Sequence, residues 1–158
     1  MVRVSSENSS ERCKIEMMQT AQFPYKELCK KIRDVNGNIR FAGIINDNGR
    51  LITGAAKDNI QFYVDERDRE MLFMEAAMRT RMLLEFDFSL GPMNFSIYYR
   101  KNVITMEFPL GNETVYVSAE KDFDLNKIPF EILEILKQVD VQVLESKTHD
   151  KSSLLIQS

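Results

Sequence analysis

The chain has 158 residues and a net charge of −3. Hydrophobic residues make up 44% and charged residues 28%, with 6 glycines and 4 prolines, which fits a globular domain and excludes collagenous and wholly disordered classes. Because 21 basic and 24 acidic residues are intermixed, we expect no broad positive field that would attract nucleic acid. No uncharged apolar run approaches the roughly 20 residues that a membrane span needs, so we expect a cytoplasmic protein without a membrane partner.

Both ends of the sequence are polar or mixed in character, which is typical of loose chain termini. We expect flexible tails over residues 1–13 and 140–158 and a single domain over residues 14–139. The single histidine, His149, falls in the C-terminal tail. A nucleophile paired with a histidine base therefore cannot be built within the domain.

The first half of the domain predicts a helix, a hairpin and a second, longer helix. Pro24 begins the first helix, which runs to Gly37. Two apolar runs, predicted as strands over about 39–46 and 50–55, flank Asn46-Asp47-Asn48-Gly49, a strong hairpin signal because Asn and Gly tolerate positive φ. Acidic residues early and arginines later predict a long helix from Asp65 to about Asp87.

The second half predicts three strands and a final helix. Residues 93–100, 103–110 and 113–120 read as strands, and the last two alternate apolar and polar residues as half-buried antiparallel strands do. The final helix is predicted over residues 129–139. The order α-β-β-α-β-β-β-α predicts an α+β domain, a five-stranded antiparallel sheet with helices on both faces.

This order, the FAGIINDNGRLITG hairpin, the long helix and the β-meander before a C-terminal helix resemble the roadblock/dynein light chain family and its longin and profilin-like relatives. The segments RFAGIIND, EMLFMEAAMR and TVYVSAEKD also resemble, over about residues 25–137, a group of uncharacterised archaeal proteins, and this second resemblance implies no activity. The roadblock resemblance implies a homodimer in which the central helices pack together and the neighbouring strands pair edge to edge. It also implies a protein partner such as a small GTPase, or a role in a signalling assembly. PAS and GAF-like sensor domains share much of the topology.

The predicted central helix carries more apolar surface than one sheet can cover. At about 100° per residue, four methionines fall on one stripe, and two further apolar stripes lie beside it. A helix on one sheet needs a single apolar face, so the extra stripe requires a second burial partner. Self-association is our main interpretation, while cover by the terminal segments and a ligand pocket beneath the methionines stay open. The predicted dimer interface comprises Met71, Met74, Met78, Met82, Phe95, Ile97 and Tyr98.

Two details of that region allow a simpler interpretation. Phe95 shares its strand parity with Tyr99, so both side chains could face the core instead of a partner. A basic group near the interface, which we interpret as ordinary solvated charge, consists of Arg79, Arg81, Arg100 and Lys101.

The sequence contains no recognisable catalytic, metal or phosphate motif. Cys13 and Cys29 lack the partners of a zinc site and read as free thiols. The glycines around the hairpin form neither a GK[ST] nor a GxGxxG motif, so we interpret them as turn and packing residues. We therefore predict a non-enzymatic interaction module without cofactor or metal, and a PAS- or GAF-like small-molecule sensor is the alternative.

Overall fold

The computed structural model describes residues 24–139, so the predictions made for residues 1–23 and 140–158 lie outside the described part of the chain. Two helices are bounded by residue number alone, α1 over residues 24–33 and α4 over residues 128–139. The elements between them are β1 (Ile39–Ile45), β2 (Leu51–Ala56), α2 (Glu66–Leu84), α3 (Asp87–Leu90), β3 (Ser96–Tyr99), β4 (Ile104–Leu110) and β5 (Glu113–Ala119).

The five strands form one antiparallel sheet in the order β2-β1-β5-β4-β3. The last strand, β5, inserts between β1 and β4, and this joins the N-terminal hairpin to the C-terminal meander. The edges are β2 and β3. This architecture confirms the predicted α+β fold with a five-stranded antiparallel sheet.

The larger core lies on the face of the sheet that α1 and α4 cover. The alternating apolar residues of β4 and β5 point into this core, as the sequence predicts. Successive side chains of a strand point to opposite faces of the sheet. Each large side chain fully buried there contributes about 1.5–3 kcal/mol through removal of apolar surface from water. Buried members of this core include Ile32, Ile44, Ile104, Met106, Phe108, Val115, Val117 and Ile132.

The central helix α2 covers the opposite face, so the prediction of helices on both faces is also confirmed. Phe73 of α2 stacks on Phe41 at 6.2 Å between ring centroids and meets Tyr116 edge-on at 5.2 Å. The Phe41 ring lies directly over Gly43 and Gly54, where a Cβ atom would come within 2.8 Å of it. These two glycines therefore make room for a ring, in agreement with their interpretation as packing residues.

The turn between β1 and β2 brings the hairpin against α2. Gly49 has a φ of +77°, and its amide donates to the carbonyl of Asn46 at 2.9 Å. The Asn46 side chain accepts from the amides of Asn48 and Arg50, each at 3.0 Å. A Cβ on Gly49 would lie 2.7 Å from the backbone nitrogen of Met74, so the absence of a side chain allows the close approach of helix and turn.

The connection between α2 and β3 differs from the sequence prediction. The helix ends at Leu84 instead of Asp87, and the short helix α3 follows, closed by Gly91 with a φ of +85°. The strand β3 begins at Ser96 instead of Met93. The Met93 amide donates to Oδ1 of Asp87 at 3.2 Å, and Pro92 has no amide hydrogen to donate, so this segment does not extend the ladder.

Candidate functional site

Four methionines of α2 form an exposed stripe, which we call the methionine face: Met71 (58% exposed), Met74 (52%), Met78 (62%) and Met82 (65%). The stripe points away from the sheet, because the buried residues of α2 are on the other side of the helix: Phe73, Ala76, Ala77 and Thr80. Residues 24–139 thus leave the methionine face uncovered. The alternative that the terminal segments of the chain cover this face concerns residues 1–23 and 140–158, which lie outside the described range.

Exposed apolar side chains continue from α2 into α3. Leu83 and Leu84 are each 37% exposed, and Phe88 is fully exposed. Phe86 and Leu90 flank Phe88 and are also exposed. The sequence analysis missed Phe86, Phe88 and Leu90. The signal was present, because the connecting segment FDFSL has an apolar residue at every second position. The apolar surface is therefore longer than the predicted methionine stripe.

The three other predicted interface residues do not share one surface. Phe95 lies just before β3 and contacts Phe108 and Phe130, at centroid distances of 5.5 and 5.4 Å, on the face covered by α4. Ile97 packs against the same core. Tyr98 points to the other face, where its ring lies under the guanidinium of Arg79 at 4.6 Å. What β3 offers to a partner is its backbone edge, because among the described strands it pairs with β4 alone.

A cleft of about 440 Å³ lies between α2 and the sheet, on the face that carries Phe41 and Tyr116. The β3–β4 turn contributes Arg100 and Lys101 to its lining, and the loop before α2 contributes Phe62. We call it the arginine cleft. Of the described residues, the aromatic ones that line it are Phe41, Phe62, Tyr63, Phe73, Tyr98 and Tyr116, and the basic ones are Arg40, Arg69, Arg79, Arg100 and Lys101.

The basic group predicted from sequence is divided by the fold. Arg79, Arg100 and Lys101 line the arginine cleft. Arg81 points to the other side of α2, where its Nη2 donates to the carbonyl of Asp47 at 2.9 Å. Arg40 and Arg69 were missed, because their distance from the other three in sequence gives no signal that they meet.

Two cleft arginines are held by carboxylates. Arg40 pairs with Glu120, donates to the carbonyl of Gln61 at 2.6 Å, and lies over the ring of Tyr63 at 4.2 Å. Arg79 bridges Glu75 at 2.6 Å and Glu107 at 2.7 Å. These contacts fix the positions of both guanidinium groups.

The pair between Arg79 and Glu107 is the most buried ionic contact of the cleft. The Glu107 side chain is 1% exposed, and burial raises its pKa, although the hydrogen bond and charge of Arg79 act against the rise. Burial lowers the pKa of Arg79, but its contacts with Glu107 outweigh this and the net direction is upward. Burial likewise raises the pKa of Tyr116, which is then raised further by the Glu107 charge. Arg79 is thus a permanent cation beside the sheet.

The other reactive groups of the described chain do not form a site. Cys29 lies on the face of α1 that packs against the core and is fully buried, and burial raises the pKa of its thiol to about 11. Over residues 24–139, no group of three or more His, Cys, Asp or Glu side chains is placed to hold a metal ion. In the same range, no helix combines the length and the apolar character that crossing a bilayer requires.

Residues 17–144 match the sequence model of a family described as being of unknown function, DUF6659. The chain belongs to the DUF6659 family. The resemblance to a family without assigned activity is thereby confirmed. This DUF6659 protein shows no significant sequence similarity to the curated proteins with which it was compared.

Solved structures with the same fold include roadblock proteins. A Roadblock/LC7 domain from Streptomyces avermitilis is 10% identical, with a TM-score of 0.58 over 75% of this chain and 97% of that one. MglB from Myxococcus xanthus is 14% identical, with a TM-score of 0.59 over 78% and 96% of the two chains. A structure described as MglB with a tetrameric arrangement is 12% identical, with a TM-score of 0.52 over 73% and 91%. At these identities the similarity establishes a roadblock-like fold for the DUF6659 protein.

Proposed function

We propose that this DUF6659 protein is a non-enzymatic interaction module that forms a homodimer through α2 and the edge strand β3. The observation that carries the proposal is the uncovered methionine face. Soluble proteins rarely leave a long contiguous apolar stripe in water, and such a stripe marks a contact surface. Methionine suits this role because its flexible thioether adapts to the shape of a partner.

The placement of β3 supports the same assembly. Among the described strands, β3 pairs with β4 alone, so its outer edge presents unpaired backbone groups, and an open edge is a template for pairing with another strand. Antiparallel pairing of β3 with its own copy satisfies twofold symmetry, which most homodimers have. Such a dimer would bury the methionine faces of two α2 helices together. The tetrameric arrangement described for MglB supports self-association of this fold.

The kind of protein partner that we propose is inferred from the roadblock resemblance. We propose that the dimer regulates a small GTPase or a signalling assembly, as that resemblance implies. A pull-down with the wild type and with a monomeric variant tests this part separately, because a partner that recognises the dimer is retained by the wild type only.

Light scattering on the full chain tests the dimer. We expect a particle of twice the 18.4 kDa chain mass for the wild type. Met74→Glu and Met78→Glu place a charge on the methionine face and should give folded monomers, because a carboxylate without a partner opposes burial. Met74→Leu and Met78→Leu are the matched controls, since they keep the surface apolar and should keep the dimer.

Two results would contradict the proposal. One is a wild-type monomer at high protein concentration. The other is a dimer that persists, with unchanged affinity, in the folded Met74→Glu and Met78→Glu variants, because the contact would then lie elsewhere.

A further inference from the structure

The arginine cleft concentrates positive charge in a protein whose net charge is −3. Among residues 24–139, none of those that line it is Asp or Glu. Arg40 and Arg79 have carboxylate partners, as described above. Within residues 24–139, no ion pair joins the other three cations to a carboxylate: Arg69, Arg100 and Lys101. The cleft therefore carries basic groups that the described chain does not neutralise.

Aromatic rings orient one of these cations. The guanidinium of Arg69 lies over the ring of Phe62 at 4.6 Å. Stacking uses the face of a guanidinium and leaves its edge N–H groups free, and those groups match the geometry of a carboxylate or phosphate. Arg100 and Lys101 are exposed on the β3–β4 turn and line the same cleft. An anion bound there would meet positive charge from the helix and from the turn.

The size and the remaining walls fit a small molecule. A volume of about 440 Å³ lies within the range of roughly 300–1,000 Å³ that is usual for small-molecule sites. Helix, sheet, turn and loop all contribute residues to the walls of the cleft. Phe62 and Tyr63 line the cleft with half-exposed rings, each beside the arginine that lies over it, and rings stack favourably against planar partners.

We propose that the arginine cleft binds a small anionic molecule with a planar ring body, whose carboxylate or phosphate is held by Arg69, Arg100 and Lys101. The proposal is independent of the dimer, because none of the methionines of the methionine face lines the cleft. It gives a definite position and ligand class to the small-molecule alternative that the sequence left open.

Fluorescence titration of the full chain with 8-anilino-1-naphthalenesulfonate, a planar anion, tests the proposal. We expect saturable binding of one probe per chain. AMP, which carries a phosphate, and 1-naphthoate, which carries a carboxylate, are then tested as competitors of the probe. Their uncharged counterparts, adenosine and 1-naphthalenemethanol, should compete at least about tenfold more weakly, because charge-assisted hydrogen bonds are lost.

Variants locate the binding site. Arg69→Gln combined with Lys101→Gln should weaken binding of the probe by about tenfold or more. Arg81→Gln is the matched control, since Arg81 lies on the same helix outside the cleft, and it should leave binding unchanged. Arg69→Lys keeps the charge and should lose less affinity than Arg69→Gln. Circular dichroism of each variant verifies that the fold is retained.

Three results would overturn the proposal. The first is the absence of saturable binding of the probe. The second is equal competition by the charged and uncharged compounds, which would make the cleft a purely apolar site. The third is binding that survives the double variant but is lost in Met74→Glu, which would place the probe on the methionine face. Light scattering reports the dimer independently, so failure of one proposal is distinguishable from failure of the other.

Discussion

Arg79 donates its Nη2 to Oε1 of Glu107 at 2.7 Å, and this contact ties the central helix to the fourth strand at a carboxylate that is almost fully buried. The same guanidinium pairs with Glu75 one helical turn earlier and covers the ring of Tyr98. The second carboxylate oxygen of Glu107, Oε2, has no hydrogen-bond partner within the described chain. The contact therefore anchors α2 to β4 but leaves one oxygen of the buried carboxylate without a hydrogen bond from the described chain.

The first prediction concerns the pH dependence that this contact creates. Burial raises the pKa of Glu107 in the folded protein above its ordinary value, so the folded state binds a proton more tightly than the unfolded state. The resulting stabilisation is complete below the unfolded pKa and is lost as pH rises through the folded pKa. The Glu107→Gln variant has no titratable carboxyl group at this position. Its free energy of unfolding, relative to wild type, should therefore increase from about pH 4 towards neutrality.

Urea denaturation of both proteins at several pH values measures this difference. Glu75→Gln is the control, because it also removes a carboxylate from Arg79 but does so at the surface, where Glu75 is 60% exposed. A relative stability of Glu107→Gln that falls as pH rises would contradict the prediction, and would mean that the attraction of Arg79 exceeds the effect of burial.

The second prediction concerns the approach of α2 to the β1–β2 turn. Gly49→Ala should destabilise the fold, because alanine is strained at a φ of +77° and its Cβ would overlap the backbone of Met74. Positive φ alone costs about 1–2 kcal/mol for an ordinary residue. Gly111→Ala is the matched control, since Gly111 has a φ of +59° but nothing within 4 Å of the added Cβ.

Chemical denaturation of the two glycine variants separates strain from overlap. The Gly49→Ala variant should lose more of its free energy of unfolding than Gly111→Ala does, and the excess measures the closeness of helix and turn. Equal losses would show that α2 shifts away from the turn without cost.

The third prediction concerns the reactivity of Cys29. With a pKa of about 11, roughly one thiol in a thousand is ionised at pH 8, and only the thiolate reacts with alkylating agents. In a Cys13→Ser background, native protein should resist iodoacetamide at pH 8, as followed by intact mass. The same protein in guanidinium chloride should be alkylated, which is the control. Rapid alkylation of the native protein would mean that the region of α1 opens readily.

Local periodicity explains what could be read from the sequence. The alternation of Met106 with Glu107 placed these side chains on opposite faces of β4, and the spacing of Met74 and Met78 placed both on one stripe of α2. The helix α2 begins after Asp65, close to the predicted start, and the Asp65 side chain caps it by accepting from the amide of Asp68 at 2.8 Å. Each of these relationships depends on residues a few positions apart, so the repeat of a strand or helix is sufficient to predict it.

The tertiary structure alone decided the order of the strands and, with it, the arginine cleft. Arg40 from β1, Arg69 from α2 and Arg100 from the β3–β4 turn line one cleft because β5 pairs with both β1 and β4 beneath the central helix. It also decided that β3 is an edge of the described sheet, that Ile97 packs against the core between α1 and α4, and that Tyr98 lies beneath Arg79 of α2. The physical reason is that contacts between distant segments depend on which apolar faces pack together, whereas periodicity describes one segment at a time.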